Sequence, residues 1–98
     1  MRSGWCVVGI RGRADAETAD ELEHALREAV QLHPKVAADF GAVEYISSAG
    51  LRAVLQAARA AQEHHAEFTV CRLQGSVKKV FEVSGMHHVL QIQGDLPC

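Results

Sequence analysis

The sequence predicts an α/β fold, with helices packed on a sheet of about four strands that is mostly parallel or mixed. Three observations carry this. β-rich runs alternate with runs of helical period, in the order βαβαβαβ. A helix separates each strand from the next, and that is the crossover parallel neighbours need. The chain has 98 residues and is 48% apolar, enough for a modest core without disulfides or metal. No linker, low-complexity tract or internal repeat interrupts it, so residues 1–98 read as a single domain.

The elements follow in order. "WCVVGIRG", from Trp5, is a short strand closed by Gly12. In "DAETADELEHALREAVQL", Ala19, Leu22, Leu26, Ala29 and Val30 recur at helical spacing. Asp15 suits the N-cap, and Glu17, Asp20 and Glu21 suit the electropositive helix start. Pro34 ends that helix. "KVAADF", Lys35 to Phe40, is a second strand, followed by a turn at Gly41. Leu51, Val54, Leu55, Ala58 and Ala61 form the apolar stripe of a second helix, from about Ser48 to His64. "EFTVCRL", Glu67 to Leu73, is a third strand broken by Gly75. Ser76 caps a short helix carrying Val77, Val80 and Phe81, which stops at Gly85. "VLQI", Val89 to Ile92, is a last strand. The first strand has no earlier strand to pair with and no helix follows the last, so the architecture reads as trimmed at both ends.

Composition narrows the function classes. The net charge of −2 offers no basic field for nucleic acid. No apolar run approaches the ~20 residues that span a bilayer, and no signal peptide opens the chain, so no membrane partner and a cytoplasmic location are expected. The three cysteines show no CxxC spacing. Cys6 and Cys71 sit in apolar runs as small core residues, whereas Cys98 is a terminal, loose thiol. Adjacent histidines, His64–His65 and His87–His88, diverge by ~100° on a helix and chelate poorly, so no metal is expected. Lys78 and Lys79 read as a wet helix face. Neither GxxxxGK[ST] nor GxSxG occurs, so no cofactor and no enzyme are expected.

One stretch stands apart. "EYISSAGLRAVL", Glu44 to Leu55, sets two serines and a glycine at the mouth of the second helix. Ser47 or Ser48 suits a cap, which is worth roughly 1 kcal/mol. Gly50 costs about 1 kcal/mol against alanine inside a helix. Its presence needs another cause, such as close approach by another backbone or by a phosphate. Arg52, one turn in, suits either a solvated helix face or an acidic group.

"DFGAVEYISSAGLRAVL", Asp39 to Leu55, resembles the signature of bacterial anti-sigma factor antagonists, which are STAS domains. The match runs without a gap through Asp39, Val43, Tyr45, Ile46, Ser48, Gly50 and Leu51. "GRADAETADEL" is similar to the family's Gly-x-x-Asp turn and first helix, and "VKKVFEVSGMHHVLQI" to its ending. The resemblance implies a STAS-like fold and partner switching. The unmodified domain would bind an anti-sigma factor that is also a serine kinase, releasing a sigma factor. Phosphorylation of Ser48 would end binding, and a metal-dependent serine phosphatase would restore it. Ser47 takes a place often held by aspartate and is a minor alternative acceptor. The implied partner surface comprises Ser47, Ser48, Ala49, Gly50 and Arg52, with Arg13 and Asp15 beside them. Asp15 matches the family's first-turn aspartate. The alternative is a non-phosphorylated STAS scaffold or interaction subunit of a sensory complex, secretion regulator or transporter. The family's usual extra N-terminal strand and C-terminal helix are not evident here, which leaves a sheet edge open to a homodimer.

Overall fold

The structure, a computed structural model, describes residues 4–95. Its elements are β1 (Cys6–Ala14), α1 (Ala19–Leu32), β2 (Lys35–Ile46), α2 (Ser48–Glu63), β3 (Glu67–Cys71), α3 (Gly75–Val83), a 3₁₀ turn (Met86–His88) and β4 (Gln91–Gln93). The strands lie in the order β1-β2-β3-β4, and every pairing is parallel. Successive right-handed crossovers that step the same way across a sheet leave their helices on one face. The core agrees. Val36, Ala38 and Phe40 of β2, with Phe68 and Val70 of β3, join the apolar stripes of all three helices in one cluster. Phe40 meets Phe81 of α3 edge to face, ring centroids 5.7 Å apart.

Two strands run further than the sequence predicts. β1 continues past Gly12 to Ala14, and β2 continues through Gly41 to Ile46. Two β-bulges explain both. Gly9 pairs with Asp39 but Arg11 pairs with Ala42, and Gly12 pairs with Val43 but Arg13 with Tyr45, so β2 carries one extra residue each time. Each extra residue turns the usual period of two into three. The inward residues are therefore Phe40, Val43 and Ile46, all buried, and strict alternation cannot find them. Gly12 takes the left-handed conformation (φ +78°) at the second bulge, continuing the strand rather than ending it.

Other boundaries move too. Helix α1 starts at Ala19, not at Asp15. Asp15 caps the turn before it: its side chain accepts the Glu17 N–H (3.1 Å) and its carbonyl accepts the Ala19 N–H (2.8 Å). The core face of α2 is centred on Ala53, Val54, Ala57, Ala60 and Ala61, while Leu51, Leu55 and Ala58 are half-buried beside it. β3 ends at Cys71, because Arg72 turns left-handed (φ +60°). Helix α3 begins at Gly75, with Gln74 at the N-cap position making no side-chain cap, so Ser76 lies inside it. β4 begins at Gln91, because the 3₁₀ turn takes up the chain before it. Cys6 is half-buried against the core. Cys71 is fully buried but points to the other face of the sheet, and Cys98 lies outside the described residues.

Candidate functional site

Parallel α/β sheets concentrate their sites where the carboxyl ends of strands meet helix starts. Here β1 and β2 end side by side, Ala14 in register with Ile46. The Ser47 N–H donates to the Ala14 carbonyl at 2.9 Å, which ties the entry of α2 to the end of β1. Ser47 is the N-cap: its extended backbone lets its hydroxyl accept the Gly50 N–H at 3.3 Å. That leaves Ser48, the first helical residue, exposed, and its hydroxyl makes no hydrogen bond among the described residues. The two adjacent serines thus hold different positions. One closes the helix end and the other faces solvent.

Gly50 has a packing reason. A Cβ built there would lie 2.4 Å from the Ala14 carbonyl oxygen and 2.8 Å from Ile46 Cγ1. The close neighbour is another backbone, the end of β1. Helix α2 can dock on that strand end only without a side chain at this point.

Arg13 and Asp15 flank the same spot. The Arg13 Nε donates to Asp15 Oδ2 at 3.2 Å, and the guanidinium lies over the Tyr45 ring, 4.3 Å from its centroid. The Thr18 hydroxyl donates to the Arg13 carbonyl at 2.8 Å and fastens this turn. Partial burial pushes the Asp15 carboxyl up. The Arg13 hydrogen bond, the Glu17 N–H, the Arg13 charge and Thr18 together outweigh that and hold it below the usual carboxylate value. Ala49 is half-buried and Arg52 exposed, and both line a groove of about 540 Å³ between α1 and α2. The structure therefore gathers Ser47, Ser48, Ala49 and Gly50 beside Arg13 and Asp15 at one end of the sheet, with Arg52 one turn further on.

Two residues are absent from the site the sequence predicts, although Tyr45 belongs to the matched signature. Tyr45 is 42% exposed and serves as the platform under Arg13. Its signal is a large aromatic on the solvent side of a strand, legible only once the bulges set the register. Arg72 has no local signal, because its partner is 33 residues away. It clamps Asp39 with two hydrogen bonds, each 2.9 Å, and the Gly41 N–H donates to the same carboxylate. A Cβ on Gly41 would lie 2.8 Å from Arg72 Nη2, so the missing side chain makes room for the guanidinium. Asp39, which opens the signature stretch, is thus occupied in joining β2 to β3. The Arg72 hydrogen bond holds its carboxyl below the usual range, against partial burial and with help from Gly41. Nearby Cys71 is pushed up to about 11, chiefly by burial and then by the Asp39 charge, so it stays a protonated thiol at neutral pH.

A lowered carboxyl pKa adds stability above the unfolded-state value and loses it as pH falls through the folded-state value. Arg72→Ala is therefore expected to raise the Asp39 pKa toward 3.8 and to flatten the loss of stability in acid. Carboxyl-carbon NMR titration reads the first effect and urea melts from pH 6 to 3 the second. An Asp39 titration that does not move would overturn the clamp.

No group of three or more His, Cys, Asp and Glu side chains is placed to hold a metal among the described residues. No described helix is long and apolar enough to cross a membrane. The family described as "Mlab, STAS domain" matches residues 2–93. The chain is 33% identical over 90 residues to BtrV of Bordetella bronchiseptica, a candidate anti-sigma factor antagonist, covering 91% of this chain and 78% of BtrV. The crystal structure of an anti-sigma factor antagonist from Mycobacterium paratuberculosis superposes with a TM-score of 0.86 at 24% identity, over 98% of this chain and 82% of that one. A sulfate transporter family protein from Wolinella succinogenes superposes with a TM-score of 0.82 at 13% identity, over 96% and 80%.

Proposed function

The chain belongs to the STAS-domain family, and from that membership we propose that it is an anti-sigma factor antagonist working by partner switching. Unphosphorylated, it binds an anti-sigma factor serine kinase in the cytoplasm and so releases a sigma factor. The kinase then transfers the γ-phosphoryl group of ATP to the Ser48 oxygen. The hydroxyl proton passes to the kinase's base, ADP leaves, and the complex parts. A serine phosphatase removes the phosphate and restores binding. In this scheme the domain is a binder and a substrate, and the transfer chemistry belongs to the kinase.

The observation that carries the reading is the division of labour between the serines. Ser47 closes the helix end, so Ser48 keeps an exposed hydroxyl with no hydrogen bond among the described residues, at the electropositive start of a 16-residue helix. A phosphate there carries a charge of about −1.5 to −2 and meets N–H groups that still lack partners. The fold accommodates that charge, whereas a partner sealed against it does not.

The likeness to a sulfate transporter family protein is consistent with a second reading, a STAS interaction subunit that is not phosphorylated. One experiment separates the two. The chain is incubated with its cognate anti-sigma kinase and Mg·ATP, and its intact mass is measured. The switch predicts the gain of one phosphate, located on Ser48 by fragmentation and lost in Ser48→Ala. An unchanged mass, with a stable complex that ignores ATP, would establish the interaction subunit instead.

A further inference from the structure

Of the described arginines, Arg13, Arg27 and Arg72 are each paired with a carboxylate. Arg11, Arg52 and Arg59 hold no ion pair with a described residue. Position separates these last three. Arg11 pairs with Ala42, short of the end of β1. Arg59 lies about three turns of α2 beyond Ser48. Arg52 lies one turn beyond it, so the two residues share a face of the helix with Cβ atoms about 5–6 Å apart. Both are exposed. We propose that Arg52 clasps the phosphate on Ser48, pairing with it across the first turn of α2. This rests on the reading of Ser48 as the acceptor, and it names the residue that receives the modification.

The two groups suit each other. A guanidinium presents a planar fork of N–H donors that matches two phosphate oxygens. The order along the helix is also favourable, with the anion N-terminal to the cation at a spacing of four. The competing contacts are weaker or already filled. Arg13 is held by Asp15 at 3.2 Å and by the Tyr45 ring at 4.3 Å, so recruiting it would break both contacts. Asp20 and Glu23 of α1 line the same groove as Arg52, but neither pairs with it, and Glu23 accepts from Arg27 at 3.2 Å. A phosphate carries about −1.5 to −2 charge against −1 for either carboxylate. Without phosphate, Arg52 stands at the rim of the groove between α1 and α2. With it, the side chain folds back over the helix start. Phosphorylation then alters the docking surface twice, adding an anion at Ser48 and withdrawing a cation from the groove.

The test uses the full chain with phosphoserine incorporated at position 48 during synthesis. It needs no kinase, so its outcome is separate from the mass measurement that tests the switch. Phosphorus NMR titration reads the second ionisation of the phosphate. Arg52 favours the dianion, so Arg52→Gln should raise that pKa by about 0.3 of a pH unit. Arg52→Lys, which keeps the charge but not the fork, should recover part of the difference, and Arg59→Gln should leave the titration in place. The other charges facing the phosphate, Arg13 and Asp15 at the strand end and Asp20 and Glu23 on α1, are common to all these chains. The Arg52 Nε–H signal should shift through the same pH range in the phosphorylated chain and stay fixed in the unmodified one. A phosphate titration that Arg52→Gln does not move overturns the clasp, even where the kinase does phosphorylate Ser48. So does a larger shift in Arg13→Gln than in Arg52→Gln, or an Arg52 Nε–H signal that ignores the phosphate.

Discussion

Gly50→Ala is expected to destabilise the domain by about 1–3 kcal/mol, the range for atoms forced into a packed site. The direction is opposite to helix propensity, which favours alanine over glycine by about 1 kcal/mol. Packing wins because of what the new methyl group meets. At 2.4 Å from the Ala14 carbonyl oxygen it would lie well inside van der Waals contact, and 2.8 Å from Ile46 Cγ1 is also too close. Neither atom is the loose end of a flexible side chain. One is backbone at the end of β1, and the other is the stem of a buried residue. Relief requires α2 to move off the strand ends, which stretches the 2.9 Å hydrogen bond from the Ser47 N–H to Ala14. Urea titration by circular dichroism measures the effect. With a slope of about 1–3 kcal/mol per molar, the midpoint should fall by about 1 M. Gly9→Ala is the control: with open space around its Cβ, it should be neutral or slightly stabilising. A Gly50→Ala midpoint equal to wild type would show that the close approach does not constrain the fold.

The same contact illustrates what is legible in a sequence. A glycine in a first helical turn signals a close neighbour, and the sequence leaves backbone and phosphate equally open. Choosing between them needs the pairing of β1 with β2, a relation across more than thirty residues. Helix existence, the alternation of strands and helices along the chain and the α1 stripe follow from local period. Leu22, Leu26, Ala29 and Val30 are all buried as their spacing predicts. The end of β2 does not follow. Two bulges convert its inward positions to Phe40, Val43 and Ile46, so Gly41 looks like a turn when it lies inside a strand. The alanine face of α2 is equally mute, because Ala53, Ala57 and Ala60 carry little hydropathic contrast although all are buried. At the site, Ser47 and Ser48 are equivalent caps until the backbone fixes which one is extended. Asp39 reads only as part of a resemblance until Arg72 arrives from the end of β3.

That assignment of the two serines supports the second large effect. Ser48→Asp is expected to weaken binding to the anti-sigma kinase about a thousandfold, while Ser48→Ala binds as the unmodified chain does. The magnitude comes from desolvation. An uncompensated charge sealed in an interface costs about 3–5 kcal/mol, and each 1.4 kcal/mol is about tenfold in affinity. Folding should hardly change. Ser48 is exposed and sits at the first position of α2, where a carboxylate interacts favourably with the helix start. Stability is therefore expected to stay within about 0.5 kcal/mol of wild type. This separation distinguishes a switch from a structural lesion: Gly50→Ala lowers the urea midpoint, whereas Ser48→Asp leaves it in place and removes the partner. Ser47→Ala supplies the contrast. Losing the cap that accepts the Gly50 N–H should cost about 1 kcal/mol of stability while the exposed Ser48 hydroxyl remains. Calorimetric titration of the kinase into each variant, beside urea melts of the same samples, reads both quantities. Equal affinity for Ser48→Asp and Ser48→Ala would mean that the partner never closes over this hydroxyl, and the α2 start would then have to be abandoned as the switched surface.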